Sequence, residues 1–129
     1  MSHWTKGKVS INRPDLFKGT CEKRGLQVTT GKGLVLHSNY AGDVNVDMLI
    51  TDPITGDTAG LVRDKDGSLI VQMDNWGNSL AYNYGDNLAD IVQDYAAEVV
   101  KLQAVDMGAV VVEEATLDNG DIELRLEVV

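Results

Sequence analysis

Residues 86–107, DNLADIVQDYAAEVVKLQAVDM, decide how the chain is read. Leu88, Ile91, Val92, Tyr95, Val99 and Leu102 recur at steps of three and four, which lines them along one face of an α-helix. Asp90, Asp94, Glu98 and Lys101 fall on the opposite side, where water can solvate them. Asp86 is placed to cap the start with its carboxylate, and Gly108 stands where a left-handed C-terminal cap is needed. A helix with one apolar stripe needs a surface to lie on. The flanking sequence supplies strands.

Downstream, residues 109–116 and 121–128 read as a hairpin about Asp118, Asn119 and Gly120. In its second arm Ile122, Leu124, Leu126 and Val128 alternate with Asp121, Glu123, Arg125 and Glu127, so one face is expected inward and the other in water. Upstream, residues 74–85 read as a loop. Before it, residues 59–63 and 68–73 are joined by Asp64-Lys65-Asp66-Gly67, a hairpin signal. Residues 44–50 alternate, with Val44, Val46, Met48 and Ile50 on one side and Leu49 on the other. Residues 51–57 are turn chemistry throughout. Residues 26–30 and 34–37, separated by Gly31 and Gly33, read as a hairpin or two edge strands. Residues 3–11 read as a first strand. Asn12-Arg13-Pro14-Asp15 then opens a short helix that carries Leu16, Phe17 and Cys21 inward and stops at Gly25. Gly19 within it is expected to admit a neighbouring backbone.

The expected fold class is α+β: a single two-layer domain over residues 1–129, an antiparallel sheet with one short and one long helix packed on one face. The final strand is expected in that sheet.

With 129 residues and 14.0 kDa, the chain suits one core. No apolar run approaches the ~20 residues that span a bilayer, and MSHWTKGKVS lacks the apolar core of a secretory leader. No membrane association is expected. Cys21 is the one cysteine, which points to a buried thiol and a cytoplasmic or equivalent reducing compartment. The net charge of −9 argues against a grip on nucleic-acid phosphates. Bases concentrate at the start, in Lys6, Lys8, Arg13, Lys18, Lys23, Arg24 and Lys32, while the final quarter is acidic.

Several landmarks together resemble a known family. They are the Met1-Ser2-His3-Trp4 opening, Pro14-Asp15-Leu16 at the first helix, Asp66-Gly67, Trp76-Gly77, Tyr95-Ala96, Gly108 before a valine-rich strand, Glu113-Glu114, and Asn119-Gly120. The chain so resembles the plastid and cyanobacterial Ycf-type hypothetical reading frames, a domain of unknown function with members also in bacteria and phages. It departs from them at its Leu126-Glu127-Val128-Val129 end and in an added turn at residues 53–57. The resemblance implies a compact domain with an interaction role.

Candidate chemistry is sparse. His3 and His37 have no ligand partners at metal-binding spacing. Asp64 and Asp66 have a faint calcium-loop pattern, but strands flank them, and a turn is the simpler reading. Gly31-Lys32-Gly33 lacks the rest of a phosphate loop. Ser38, His37 and Asp43 could form a triad only on paper, because strand neighbours point to opposite faces. Asp90, Asp94 and Glu98 share a helix face and read as solvated unless a cation sits on them. The richest stretch is residues 74–85, where Trp76, Tyr82 and Tyr84 sit among asparagines and glycines. Trp76 either plugs the sheet–helix junction, the simpler reading, or anchors a partner. Tyr82 and Tyr84, with Tyr40 from another loop, are candidate binding residues.

The expected function is a non-enzymatic binding or regulatory module for a protein or small molecule, with no cofactor. The alternatives are a small carboxylate- and divalent-ion-dependent enzyme using Asp64 and Asp66, a structural subunit of an assembly, or a phage-encoded sequestering protein. Exposed strand edges also suggest a homodimer.

Overall fold

A computed structural model describes residues 4–6, 10–37, 42–116 and 122–128. Among these residues, seven strands and three helices run in the order β1 (Trp4–Lys6), α1 (Pro14–Lys23), β2 (Gln27–Leu36), β3 (Val44–Thr51), β4 (Thr58–Arg63), β5 (Leu69–Asp74), α2 (Ser79–Tyr84), α3 (Ala89–Asp106), β6 (Ala109–Thr116) and β7 (Ile122–Val128). A 3-10 turn, Asp86–Leu88, links α2 to α3. The fold is α+β. A five-stranded antiparallel sheet in the order β1-β5-β4-β3-β2 carries the helices.

Alternation along β4 and β5 builds the face under the helices from Ala59, Leu61, Leu69, Val71 and Met73, joined by Met48 and Ile50 of β3. Phe17, Cys21, Leu80, Leu88, Ile91 and Tyr95 close over it in one core. Tyr95 also fixes α1 from above. Its ring meets Phe17 at 5.7 Å, and its hydroxyl accepts the Arg13 backbone N–H at 2.9 Å. That bond occupies a donor at the start of α1, where the helix itself supplies no acceptor.

The opposite face of the sheet holds a second cluster, Leu36, Val46, Val62 and Ile70. Val46, with the partly buried Val44 packed against the same cluster, corrects the sequence reading, which groups both with Met48 and Ile50. The partner strand is irregular at the same level. Leu34 pairs with Val46 and Thr30 with Met48, so four residues of β2 step against two of β3. The excess is a bulge at Gly31 and Gly33, whose φ values of 138° and 77° suit glycine. β2 is therefore one bulged strand rather than a hairpin. Beside the bulge, Val46 joins the second cluster while Asp47 reaches Arg63 at 2.7 Å. Val46 lies so close to Gly60 that a Cβ there would be 2.5 Å from its Cγ1.

Further differences follow the chain. Of the expected first strand, β1 is described over Trp4–Lys6, residues 3 and 7–9 lie outside the described residues, and Ile11, not itself in a strand, donates its N–H to Leu69 O at 2.6 Å. Among the described residues, a Cβ placed on Gly19 would meet nothing within 4 Å, so none of their backbone approaches that glycine. The long helix begins at Ala89, because Asn87 and Leu88 take left-handed φ values of 55° and 56°. Asp86 consequently does not cap it. Ile91 and Tyr95 are buried and Val92 and Val99 half-buried, as the stripe predicts, but Leu102 is exposed. Ala97 and Ala104 are buried instead, on a side of α3 that meets other elements.

The closing hairpin is a separate two-stranded sheet, not part of the main one. It runs on from the end of α3 and packs against it, with Lys101 Nζ 2.8 Å from Glu114 Oε2. Ion pairing therefore occupies the side of α3 expected to be merely solvated: Asp94 pairs with Arg24, and Lys101 with Glu98 and Glu114. The Glu114 contact, ahead of Glu98, raises the Lys101 pKa. The Ser38 and Tyr40 positions, the turn at residues 118–120 and the inward side chains expected of β7 lie outside what is described.

Candidate binding site at the β5–α3 connection

The site is built where the β3–β4 turn meets the segment between β5 and α3. Asp52 organises the turn. Its Oδ1 accepts the Ile54 N–H at 2.9 Å, and its backbone N–H and C=O bond Asp57 O and Gly56 N. Its Oδ2 accepts the Ser79 hydroxyl at 3.0 Å. Only 7% of Asp52 is exposed, so a charge there depends on these donors. The Ile54 N–H, followed by the Ser79 hydroxyl, holds its pKa below the usual carboxylate range against the opposing effect of burial.

Ser79 is the meeting point. Its backbone N–H donates to Asp57 Oδ2 at 2.8 Å, and its hydroxyl lies 2.7 Å from Thr55 Oγ1. Asn78 binds in two directions. Its Oδ1 accepts the Leu80 N–H at 2.9 Å and caps α2, while its Nδ2 donates to Thr58 O at 3.2 Å. Upstream, Asp74 Oδ1 accepts the Trp76 N–H at 3.0 Å. Asn75 Oδ1 accepts the Asn87 N–H at 3.0 Å. Short polar side chains thus pin a segment from which two aromatic residues face outward.

Those residues are Trp76, 65% exposed, and Tyr82, 92% exposed, with Ile54 of the adjoining turn also 92% exposed. Between the two segments lies an open hollow of about 510 Å³, bounded by Asp57, Asn75, Asn78, Ser79, Tyr82 and Asp86. Trp76 is therefore no plug. The junction is closed by Leu80 and Leu88, both fully buried.

Tyr84 is placed elsewhere. Two residues along a helix turn the side chain by about 200° from Tyr82. Its ring lies 5.8 Å from the Arg24 guanidinium carbon, and its hydroxyl donates to Arg24 O at 3.4 Å. Tyr40 lies outside the described residues.

Asp64 and Asp66 serve their hairpin turn. Asp64 Oδ1 accepts the Lys65 N–H at 2.9 Å, and Asp66 Oδ1 accepts the Ser68 N–H at 3.0 Å. The latter bond is the main reason Asp66 has a lowered pKa. Among the described residues, no three His, Cys, Asp or Glu side chains converge as a metal shell. His37 Nδ1 and Asp43 Oδ1 are 3.0 Å apart, but both side chains are exposed and neither lines the hollow beside Ser79. A smaller space of about 230 Å³ between α1, α3 and β6 is bounded by Thr20, Ala97 and charged groups that include the Arg24–Asp94 and Lys101–Glu114 pairs.

Sequence reasoning missed Ile54, the Asp52–Ser79 clamp and α2. The signals were present: Asp-Pro-x-Thr-Gly is an Asx-turn pattern, and Asn78 before Ser-Leu-Ala is an N-cap pattern.

Fold and site together define an α+β domain with an open hollow bounded by Asp57, Asp86 and Tyr82, and with Trp76 and Ile54 exposed on the same two segments. No protein-family model, no curated protein and no solved structure matches this chain. The Ycf-type resemblance rests on its short sequence landmarks alone. Among the described residues, no helix is long and apolar enough to cross a membrane.

Proposed function

We propose that the chain is a binding or regulatory module that engages a protein partner through Trp76, Tyr82 and Ile54. One observation carries the reading: large side chains exposed by 65–92% stand on a segment held in place by hydrogen bonds that Asp52, Asp57 and Asn75 accept and one that Asn78 donates. Scattered exposed apolar residues are ordinary, but a group of them on hydrogen-bonded segments beside a hollow is a feature of interaction sites. Holding the segment before contact reduces the ordering entropy that association costs. Tryptophan and tyrosine are also enriched among residues that dominate binding energy.

The test is affinity capture from the native source with the intact chain and with a Trp76→Ala/Tyr82→Ala variant, compared by quantitative mass spectrometry. A partner held by the parent and lost by a variant of unchanged circular dichroism supports the reading. If the two capture the same proteins in the same amounts, the reading fails.

A further inference from the structure

We infer that the hollow bounded by Asp57, Asp86 and Tyr82 receives an arginine or lysine side chain from a basic segment of the partner, with apolar neighbours of that side chain resting on Trp76 and Ile54. The inference rests on the binding reading above and specifies the partner's chemistry.

Charge distribution is the first argument. The residues bounding the hollow come from two segments. Residues 38–62 contain no lysine, arginine or histidine, and neither do residues 67–100. The same segments carry Asp52, Asp57, Asp74, Asp86 and Asp90. Most of the chain's bases lie before residue 33. Among the described residues, Asp57 and Asp86 bound the hollow and no base does, so the local field is negative, within a chain of net charge −9. Such a field favours approach of a positive partner and rejects an acidic one.

The lining is the second argument. Asp57 and Asp86 place carboxylates on the boundary, Asn75 and Asn78 add amide groups, and Tyr82 adds an exposed aromatic ring. Carboxylates beside a ring suit a cationic side chain, which gains charge-assisted hydrogen bonds and a cation–π contact together. Asp57 is already oriented, since its Oδ2 accepts the Ser79 N–H. The exposed Trp76 and Ile54 then supply apolar contact area for residues flanking the cation. Phosphate-bearing partners are disfavoured by the same field.

The experiment is selection of a random peptide library, displayed on phage, against the intact chain, with counter-selection against the Trp76→Ala/Tyr82→Ala variant. Enriched peptides are then synthesised and titrated. The expected result is enrichment of arginine or lysine next to apolar residues, with binding weakened at least roughly tenfold by Asp57→Asn/Asp86→Asn. Raising the salt should weaken it in the parent more than in that variant. Asparagine keeps an acceptor for the Ser79 N–H, and a thermal melt checks that the variant is folded. Enriched peptides that need Trp76 and Tyr82 but lack a basic residue, or ignore the Asp57/Asp86 change, would overturn this inference and leave the binding reading standing. Recovery of no peptide dependent on Trp76 and Tyr82 would overturn both.

Discussion

Asn75 holds Asn87 across the base of the aromatic segment: its Oδ1 accepts the Asn87 backbone N–H at 3.0 Å, and its Nδ2 lies 3.4 Å from Asn87 Oδ1. This contact stands where the chain turns from α2 into α3 with two consecutive non-glycine residues at positive φ, Asn87 and Leu88. Asparagine adopts that conformation far more readily than leucine does. Leu88 is kept there by complete burial. Replacing Asn75 by alanine removes the acceptor and should cost about 1–2 kcal/mol in urea unfolding. Asn87→Gly should be near neutral by comparison, and Asn87→Val should be clearly destabilising. An Asn75→Ala chain as stable as the parent would contradict this account of the turn.

Gly60 allows the second cluster to form. Its replacement by alanine would set a Cβ 2.5 Å from Val46 Cγ1 and 3.1 Å from Val46 Cβ. Overpacking of that kind should cost about 1–3 kcal/mol. Val46→Ala opens the space, so the double variant should be more stable than the sum of the two single effects implies. A double-mutant cycle with no coupling would show that the two residues do not meet.

Acid should weaken the fold through specific carboxylates. Asp15, hydrogen-bonded to Arg13, Asp52, bonded by the Ile54 N–H, and Asp66, bonded by the Ser68 N–H, all have pKa values below the usual range. A lowered folded-state pKa stabilises the fold fully above the unfolded value of about 4, and that stability is lost as pH falls through the folded value. Urea midpoints followed from neutral pH down to strong acid should therefore drop below about pH 4. Asp52→Asn should flatten that drop, which an unchanged acid profile would refute.

Cys21 is fully buried, and burial pushes its thiol up to about 12. A raised folded-state value stabilises the fold below the unfolded pKa of about 8.5, and this contribution declines as pH rises from there towards the folded value. A thiol reagent at mildly alkaline pH should label the native chain only as fast as the core opens. Labelling at the rate of a free peptide thiol would place Cys21 at the surface.

Binding and folding should separate within residues 74–85. Trp76→Ala and Tyr82→Ala remove exposed side chains and should change stability by no more than about 0.5 kcal/mol. Leu80→Ala, in the same segment, empties a fully buried position and should cost about 2–5 kcal/mol. Calorimetry on the three variants checks the contrast. A large stability loss on Trp76→Ala would return that residue to the role of a plug.

Much of the architecture was legible along the chain because it depends on local chemistry. The strand over Leu69–Asp74, the Asp66-Gly67 turn, Pro14 at the start of α1 and the 3.6-residue stripe through Ile91 and Tyr95 all appear where local rules put them. Pairing between strands lies beyond those rules. Beside the bulge at Gly31 and Gly33, Val46 packs in the cluster on the opposite face, and the closing strands form a sheet of their own against α3.

The site divides in the same way. Residue types alone marked Trp76 and Tyr82, because aromatic side chains among asparagine and glycine stand out in any loop. Which of them faces outward was decided by hydrogen bonds across long sequence separations, Ser79 to Asp52 and Asn87 to Asn75, and by Leu80 occupying the junction. Local propensity sets what a segment can form. Exposure of each side chain depends on what arrives opposite it, and only the folded chain brings residues 52–57 to residues 75–87.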